Sequence, residues 1–411
     1  MPILFISNGE DSNLTAIFAD KAPEVPAGYN FDYINADGLI HELNIAGGKI
    51  ATRSGMRYRL LVLDPYSKHM SLPVLRAIHE LVEQGAMVSG DKPVGTPSLA
   101  DDQAEFKTLS DELFGDGRGV HTVGQGKVYA GLRAEAALKS IAVTPDFDSS
   151  SPILFVHRKL ADGDIYFLNN RSDQAATVEG SFRVTGYAPE LWHSETGEMV
   201  PASYKIAEGR TTVPLEFEPW GTVFVVFRTP AKTTSRTLLN PVETQLAQLN
   251  GPWKVSFQSD RGAPGSVTLD KLIAWNDSED AGVKYFSGTG TYSLTIQAPT
   301  NWFKNGARIW IDLGDVKNLA GVTVNGKSVG VLWHAPYRAD LTGVLNSGTN
   351  ELTVKVTNAW VNRLIGDEQP GTTLKYTFTP MKPYKANSSL LASGLLGPVR
   401  LYSTSASKEA H

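Results

Sequence analysis

The 411-residue sequence contains no cysteine. Disulfides and thiolate metal sites are therefore excluded, and the redox compartment leaves no trace in the chain. Long apolar runs are missing too: none approaches the roughly 18 residues that a membrane-spanning helix needs. The opening Met1-Pro-Ile-Leu-Phe-Ile-Ser7 is apolar but has neither a basic leader nor a small-residue cleavage site, so it reads as a core strand rather than a signal peptide. A domain that opens directly on a strand points to a piece of a longer chain. Basic charge is in deficit, with 38 Lys and Arg against 43 Asp and Glu and a net charge of −5. A nucleic-acid binder would need a basic face, and this balance argues against one.

Several catalytic signatures are absent. Eight histidines are scattered (His41, His69, His79, His121, His157, His193, His334 and His411), and no pair shows the i, i+4 spacing with a flanking Glu that a zinc hydrolase uses. No Gly-x-Ser-x-Gly nucleophile elbow occurs. Gly115-Asp-Gly117-Arg-Gly119 and Gly124-Gln-Gly126 are dense in glycine, but each precedes a short strand rather than opening a helix, so they read as tight turns. Adjacent carboxylates include Glu10-Asp11, Asp101-Asp102, Glu279-Asp280 and Asp367-Glu368. Glycosidic cleavage needs two carboxyl groups facing each other, roughly 5–5.5 Å or 6.5–9.5 Å apart. Neighbours on a strand point to opposite faces, so these pairs read as caps or solvated loops. Glu10, Asp11 and Asp32 remain a rival site in the first segment, should they meet in one pocket.

What is present falls into three rhythms. Residues 1 to about 140 alternate strand and helix signals: Ile3–Ile6, Arg59–Leu63, a helix after Ser71 carrying Leu72, Leu75, Ile78, Leu81 and Val82, a stop at Gly85, then a strand at Ala86–Ser89. That is a βαβ unit and predicts a parallel sheet. A further helix is expected around Ala104–Phe114. Residues 141–230 give short strands without helices (Ile153–His157, Asp164–Leu168, Thr177–Val184, Thr211–Leu215, Val223–Phe227), the pattern of an antiparallel β-sandwich. A polar stretch, 231–240, reads as a linker. Residues 241–405 are again all strand, with Asn325-Gly326 as a hairpin turn, and predict a jelly roll.

The most informative stretch is Asn358-Ala-Trp360-Val-Asn362-Arg363-Leu-Ile-Gly-Asp367-Glu368-Gln369, which follows the alternating strand Glu351–Thr357. Amides, a guanidinium and an indole supply fork-like hydrogen bonds and an apolar plate for a pyranose face. The same residue types suit a buried domain–domain contact fixed by a polar network. Of the six tryptophans in the third segment, Trp333 and Trp360 fall at strand ends, where loops gather. Asn358, Trp360, Asn362, Arg363 and Trp333 are therefore the candidate residues for contact with substrate or with another domain.

These residues carry a resemblance. Asn358–Gln369, Val324-Asn-Gly-Lys-Ser-Val-Gly-Val-Leu-Trp333 and Pro336-Tyr-Arg-Ala-Asp340 resemble the C-terminal region of glycoside hydrolase family 106, the α-L-rhamnosidases. So do Gly9–Asn13, Gly28–Asn35, Tyr58–Pro65, Gly95–Ala100, Gly163–Arg171 and Pro189–Gly197, in order along nearly the whole chain. The third segment also resembles the galactose-binding-like sugar-binding domain of family 2 glycosidases. The resemblance implies a flavodoxin-like or glutamine-amidotransferase-like α/β domain at 1–140, a sandwich at 141–230 and a jelly roll at 241–405. Lacking cysteine, the first domain has no thiol nucleophile for amidotransfer. The resemblance further implies that the acid and base carboxylates and an active-site calcium belong to a (β/α)8 barrel preceding these residues, so no catalytic residue is carried over. The family reaction is inverting hydrolysis of a terminal α-L-rhamnosyl bond. Related enzymes are expected in the periplasm or outside the cell, and a calcium ion is compatible with the jelly roll, with no ligands assigned. The implied partner is a rhamnose-containing glycan or the barrel. The alternative is a stand-alone carbohydrate-binding protein.

Overall fold

The computed structural model describes residues 3–6, 25–65, 68–239, 241–404 and 408–409. Glu10, Asp11 and the motif Gly9–Asn13 lie outside them. The chain is mostly β and divides into two compact units, Met1–Thr237 and Leu238–His411.

The first unit begins with a six-stranded sheet. Its strands are β1 (Ile3–Ile6), β2 (Phe31–Ile34), β3 (Leu61–Val62), β4 (Met87–Gly90), β5 (Gly119–Val123) and β6 (Gly126–Ala130), in the order β2-β1-β3-β4-β6-β5. All neighbours are parallel except the hairpin β5–β6, which ends the sheet antiparallel. The predicted βαβ unit is there: β3 and β4 pair in parallel (Leu61 opposite Val88) around helix Leu72–Glu83. That helix buries Leu72, Leu75, Ile78, Leu81 and Val82 on one face. Each such side chain contributes about 1.5–3 kcal/mol when fully buried. Pro73 sits in the first turn, where a missing N–H costs nothing.

Ser71 occupies the N-cap position, but its side chain makes no capping bond. Asp101 does that work from a distance: its Oδ2 accepts from the Leu72 amide at 2.8 Å and from the Thr96 hydroxyl at 2.5 Å. Asp102 caps the next helix, Gln103–Phe114, by accepting from the Ala104 and Glu105 amides. Gly115 ends that helix at φ +53, and Gly124 turns between β5 and β6.

Beside a small three-stranded sheet (Leu43–Ile45, Ile50–Thr52, Arg57–Tyr58), the unit holds two five-stranded antiparallel sheets that share one core. One contains Ala176–Phe182 and Arg210–Phe217; the other contains Leu154–Lys159, Asp164–Asn169 and Thr222–Pro230. Phe147, Tyr166, Phe182 and Phe227 form its aromatic centre, with rings 4.9–6.0 Å apart. The stretch read as a linker is partly paired. Ser235–Arg236 adds to a sheet edge beside Tyr204 and Lys205, so its polar side chains serve an edge strand. The division between the units falls after Thr237.

A charged cluster sits at the edge of that core. His157 lies between two carboxylates, with Nδ1 2.6 Å from Asp146 Oδ2 and Nε2 2.8 Å from Asp164 Oδ1. Its ring stacks on Tyr166 at 4.0 Å. Arg183 Nη2 donates to Asp146 Oδ1 at 2.7 Å. Burial alone would lower the His157 pKa, but the bonds and charges of Asp146 and Asp164 outweigh it, and the net shift is upward. Burial likewise pushes Asp146 upward and is outweighed by His157 and Arg183, which hold it well below the usual carboxylate range.

The second unit has a six-stranded and a four-stranded sheet around another core. Thr289–Ala298 and Gly348–Thr357 form the longest ladder, ten residues in register. Asn325 (φ +50) and Gly326 (φ +77) make the predicted two-residue hairpin between Leu319–Val324 and Lys327–Leu332. Ile309 and Ile311 face the core, while Trp310 lies on the other face against Arg308. Trp253, Trp275, Phe286 and Tyr292 are fully buried, and the Tyr292 hydroxyl accepts from the Leu395 amide at 3.0 Å.

Two outcomes follow from the His157 cluster. The His157 contribution to stability should be fully present below the unfolded imidazole value of about 6.5 and disappear as pH rises through the higher folded value. The Asp146 contribution should be present above about 3.9 and fall away as pH drops further. Thermal melts against pH check both, and His157→Gln should flatten the alkaline limb. Asp146→Ala should cost about 3 kcal/mol in urea unfolding, because it leaves the partly buried His157 and Arg183 without their shared acceptor.

Candidate functional site

The candidate site lies in the second unit, where Gly348–Thr357 runs out into Asn358 and then into the short helix Val361–Asp367. The sequence rhythm did not reveal this helix. Asn358 spends both ends of its amide on the neighbouring chain. Its Nδ2 donates to the Phe286 carbonyl at 2.9 Å, and its Oδ1 accepts from the Gly288 amide at 2.9 Å. The Ser287 hydroxyl donates to the Ala359 carbonyl at 2.9 Å and accepts from the Arg363 amide at 3.1 Å. The turn is thus stitched to residues 286–288.

Asn362 is buried and holds the returning segment at Leu391. Its Nδ2 donates to the Leu391 carbonyl at 2.7 Å and its Oδ1 accepts from the Leu391 amide at 2.8 Å. Arg363 is buried as well. Its Nε lies 2.9 Å from Asp367 Oδ1, an ionic contact whose angle falls outside hydrogen-bond geometry. Its guanidinium also lies over the Tyr376 ring at 5.0 Å. The other oxygen, Asp367 Oδ2, accepts from the Tyr376 amide (3.0 Å), the Thr377 amide (2.8 Å) and the Thr377 hydroxyl (2.6 Å). Asp367 and Glu368 therefore diverge: Glu368 sits outside and pairs with Lys375 and Lys382, which hold it below the usual carboxylate range.

The two aromatic candidates stay at the surface. Trp360 is 49% exposed and carries Arg261 over its ring at 4.8 Å. Trp333 is 66% exposed and meets His334 edge-on at 4.5 Å. A cavity of about 220 Å³ is lined by Lys317, Asn318, Asn358, Asn362 and Leu391–Ser393. Four of the five candidates thus belong to one chain segment, with Asn358 and Asn362 on a common cavity wall. The structure does not bring Trp333 to that wall.

The remaining carboxylates take structural partners. Asp32 accepts from the Tyr58 hydroxyl at 2.9 Å, and Asp280 caps Gly282 and Val283. Among the described residues, no three His, Asp or Glu side chains converge as metal ligands.

Comparison with known proteins bears on this geometry. Residues 3–206 match the family model described as alpha-L-rhamnosidase, and residues 270–388 match the glycosyl hydrolase 2 galactose-binding domain-like model. The solved rhamnosidase from Novosphingobium sp. PP1Y is 42% identical with a TM-score of 0.86, over 98% of this chain and 39% of that one. The match places residues 3–206 with the alpha-L-rhamnosidase family. A curated protein of Formosa agariphila, provisionally named a beta-glucuronidase, is 24% identical over 646 aligned residues, covering 97% of this chain and 55% of its own. The chain thus spans about two fifths of the solved family member and little more than half of the curated relative. The cavity lining, apart from Leu391, Ala392 and Ser393, falls within the matched galactose-binding-like region.

Removing the Asp367 carboxylate strips three donors of their acceptor and leaves Arg363 buried and unpaired. Asp367→Ala should therefore destabilise the second unit by about 3–5 kcal/mol in denaturant unfolding. Hydrogen exchange at the Tyr376 and Thr377 amides should accelerate in the variant.

Proposed function

We propose that this chain is the accessory and sugar-binding portion of an α-L-rhamnosidase-like glycoside hydrolase, with the catalytic (β/α)8 barrel outside these 411 residues. One observation carries the reading: near-complete coverage of this chain at 42% identity, against 39% coverage of the solved rhamnosidase. None of the sheets among the described residues is an eight-stranded parallel barrel. In this reading the first 140 residues are a flavodoxin-like accessory domain, supported by the parallel order β2-β1-β3-β4-β6 with its switch point between β1 and β3. Residues 141–230 are a β-sandwich and residues 241–405 a galactose-binding-like jelly roll. The complete enzyme would hydrolyse terminal α-L-rhamnosyl bonds with inversion, and the present chain would brace the barrel and shape outer subsites.

The buried Asn362 and Arg363 support the bracing half of this role, since they fix a loop and leave little surface for a ligand. Asn358, at the cavity, and the exposed Trp360 and Trp333 support the sugar-contacting half. Those two exposed indoles also favour the second reading, a stand-alone carbohydrate-binding protein.

The purified chain should release no rhamnose from an aryl α-L-rhamnoside; clear turnover would overturn the proposal. Titration calorimetry with rhamnose-containing oligosaccharides separates the two roles. Measurable heat that is lost in Trp360→Ala supports sugar contact, whereas silence supports bracing alone.

A further inference from the structure

Arg261 was not singled out by any sequence pattern, and its surroundings mark it as built in rather than incidental. Its guanidinium lies 4.8 Å from the centre of the exposed Trp360 indole. Its stem passes over Gly288, where an added Cβ would come within 3.0 Å of Arg261 Cδ and where φ is +151. Gly288 is held in place by the Asn358 amide, which also sets the turn that carries Trp360. One side chain therefore fixes both the floor under Arg261 and the plate beneath its head. Among the described residues, no hydrogen bond or ion pair engages the Arg261 guanidinium; the indole is its only partner.

A guanidinium held over an indole face by cation–π attraction does not spend its N–H donors on the ring. Its donor fork matches the two coplanar oxygens of a carboxylate. The uncovered part of the indole offers an apolar plate beside it for the C–H face of a pyranose. A surface cation–π contact by itself is a weak tie. What distinguishes this one is the cleared stem and the unspent donors.

We infer that Arg261 and Trp360 form a subsite for an acidic sugar, a uronate unit whose carboxylate meets the guanidinium while its ring lies on the indole. This rests on the sugar-contacting role proposed above and names the chemical class of that sugar. The net charge of −5 opposes an anion only at long range. Within a Debye length of about 8–10 Å the local cation decides.

The test is calorimetry of the 411-residue chain with α-L-rhamnosyl-D-glucuronate and with its methyl ester, which removes the charge and keeps the ring. The acid should bind about tenfold or more tighter than the ester, the size expected for a charged hydrogen-bonded pair. High salt should shrink that preference. Arg261→Met, which keeps the stem, should abolish the preference while leaving ester binding and the thermal melt unchanged. Trp360→Ala should weaken both ligands. Equal binding of acid and ester, or an unchanged preference in Arg261→Met, would overturn this inference and leave the sugar-contacting role standing. Absence of binding by either ligand would overturn both.

Discussion

A run of backbone without a ladder still has to satisfy its amides. Residues 368–393 contain no helix or strand, and an unpaired buried N–H costs about 1–3 kcal/mol. The Asp367 carboxylate resolves part of this at one point, taking two amides and a hydroxyl on one oxygen while the other faces Arg363. Asn362 does the same at the far end by pairing with both backbone groups of Leu391. Between them, two side chains five residues apart on one helix fix both ends of the loop. The geometry of the cavity wall and of the Trp360 turn depends on that arrangement.

The density of polar residues in this stretch therefore has a structural cause, and a functional consequence beside it. Amides and charges are needed inside because no sheet supplies partners there. Once Asn358, Asn362, Arg363 and Asp367 are committed inward, the outward side chains of the turn include Trp360, with Arg261 over its ring, and Glu368, which pairs with two lysines. The alpha-L-rhamnosidase match of residues 3–206 and the galactose-binding-like match of residues 270–388 agree with a surface that meets carbohydrate. The first unit uses a similar device for a different end. There His157, Asp146, Asp164 and Arg183 neutralise one another around a stacked Tyr166 and anchor a sheet edge.

Much of this was legible in the sequence because periodicity reports burial. The strand alternation around Ile309 and Ile311, the helix through Leu72 to Val82 and the Asn325-Gly326 hairpin all express a one-sided core. Side-chain chemistry at caps was less legible: Ser71 stood in the right place, yet Asp101, twenty-nine residues beyond Leu72, satisfies the Leu72 amide. The linker reading of 231–240 rested on polarity, which an edge strand shares. Arg261 could not be found from sequence, since its role comes from Gly288 and Trp360 being brought to it by the 286–288 turn. The Arg363–Asp367 pair was visible only as composition, because its i, i+4 spacing becomes meaningful once the intervening residues are known to be helical.

The way the loop is tied also partitions its tolerance for change. Tyr376 and Thr377 cannot slip by one residue without both amides losing the same oxygen, and Leu391 is held in register by two opposed bonds. Between them Phe378 is 95% exposed and Met381 nearly as open. Lengthening a surface loop is cheap, about 0.6 kcal/mol per doubling. Divergence in length among related chains should therefore concentrate between Thr377 and Ala386, leaving a hypervariable tip on an invariant root.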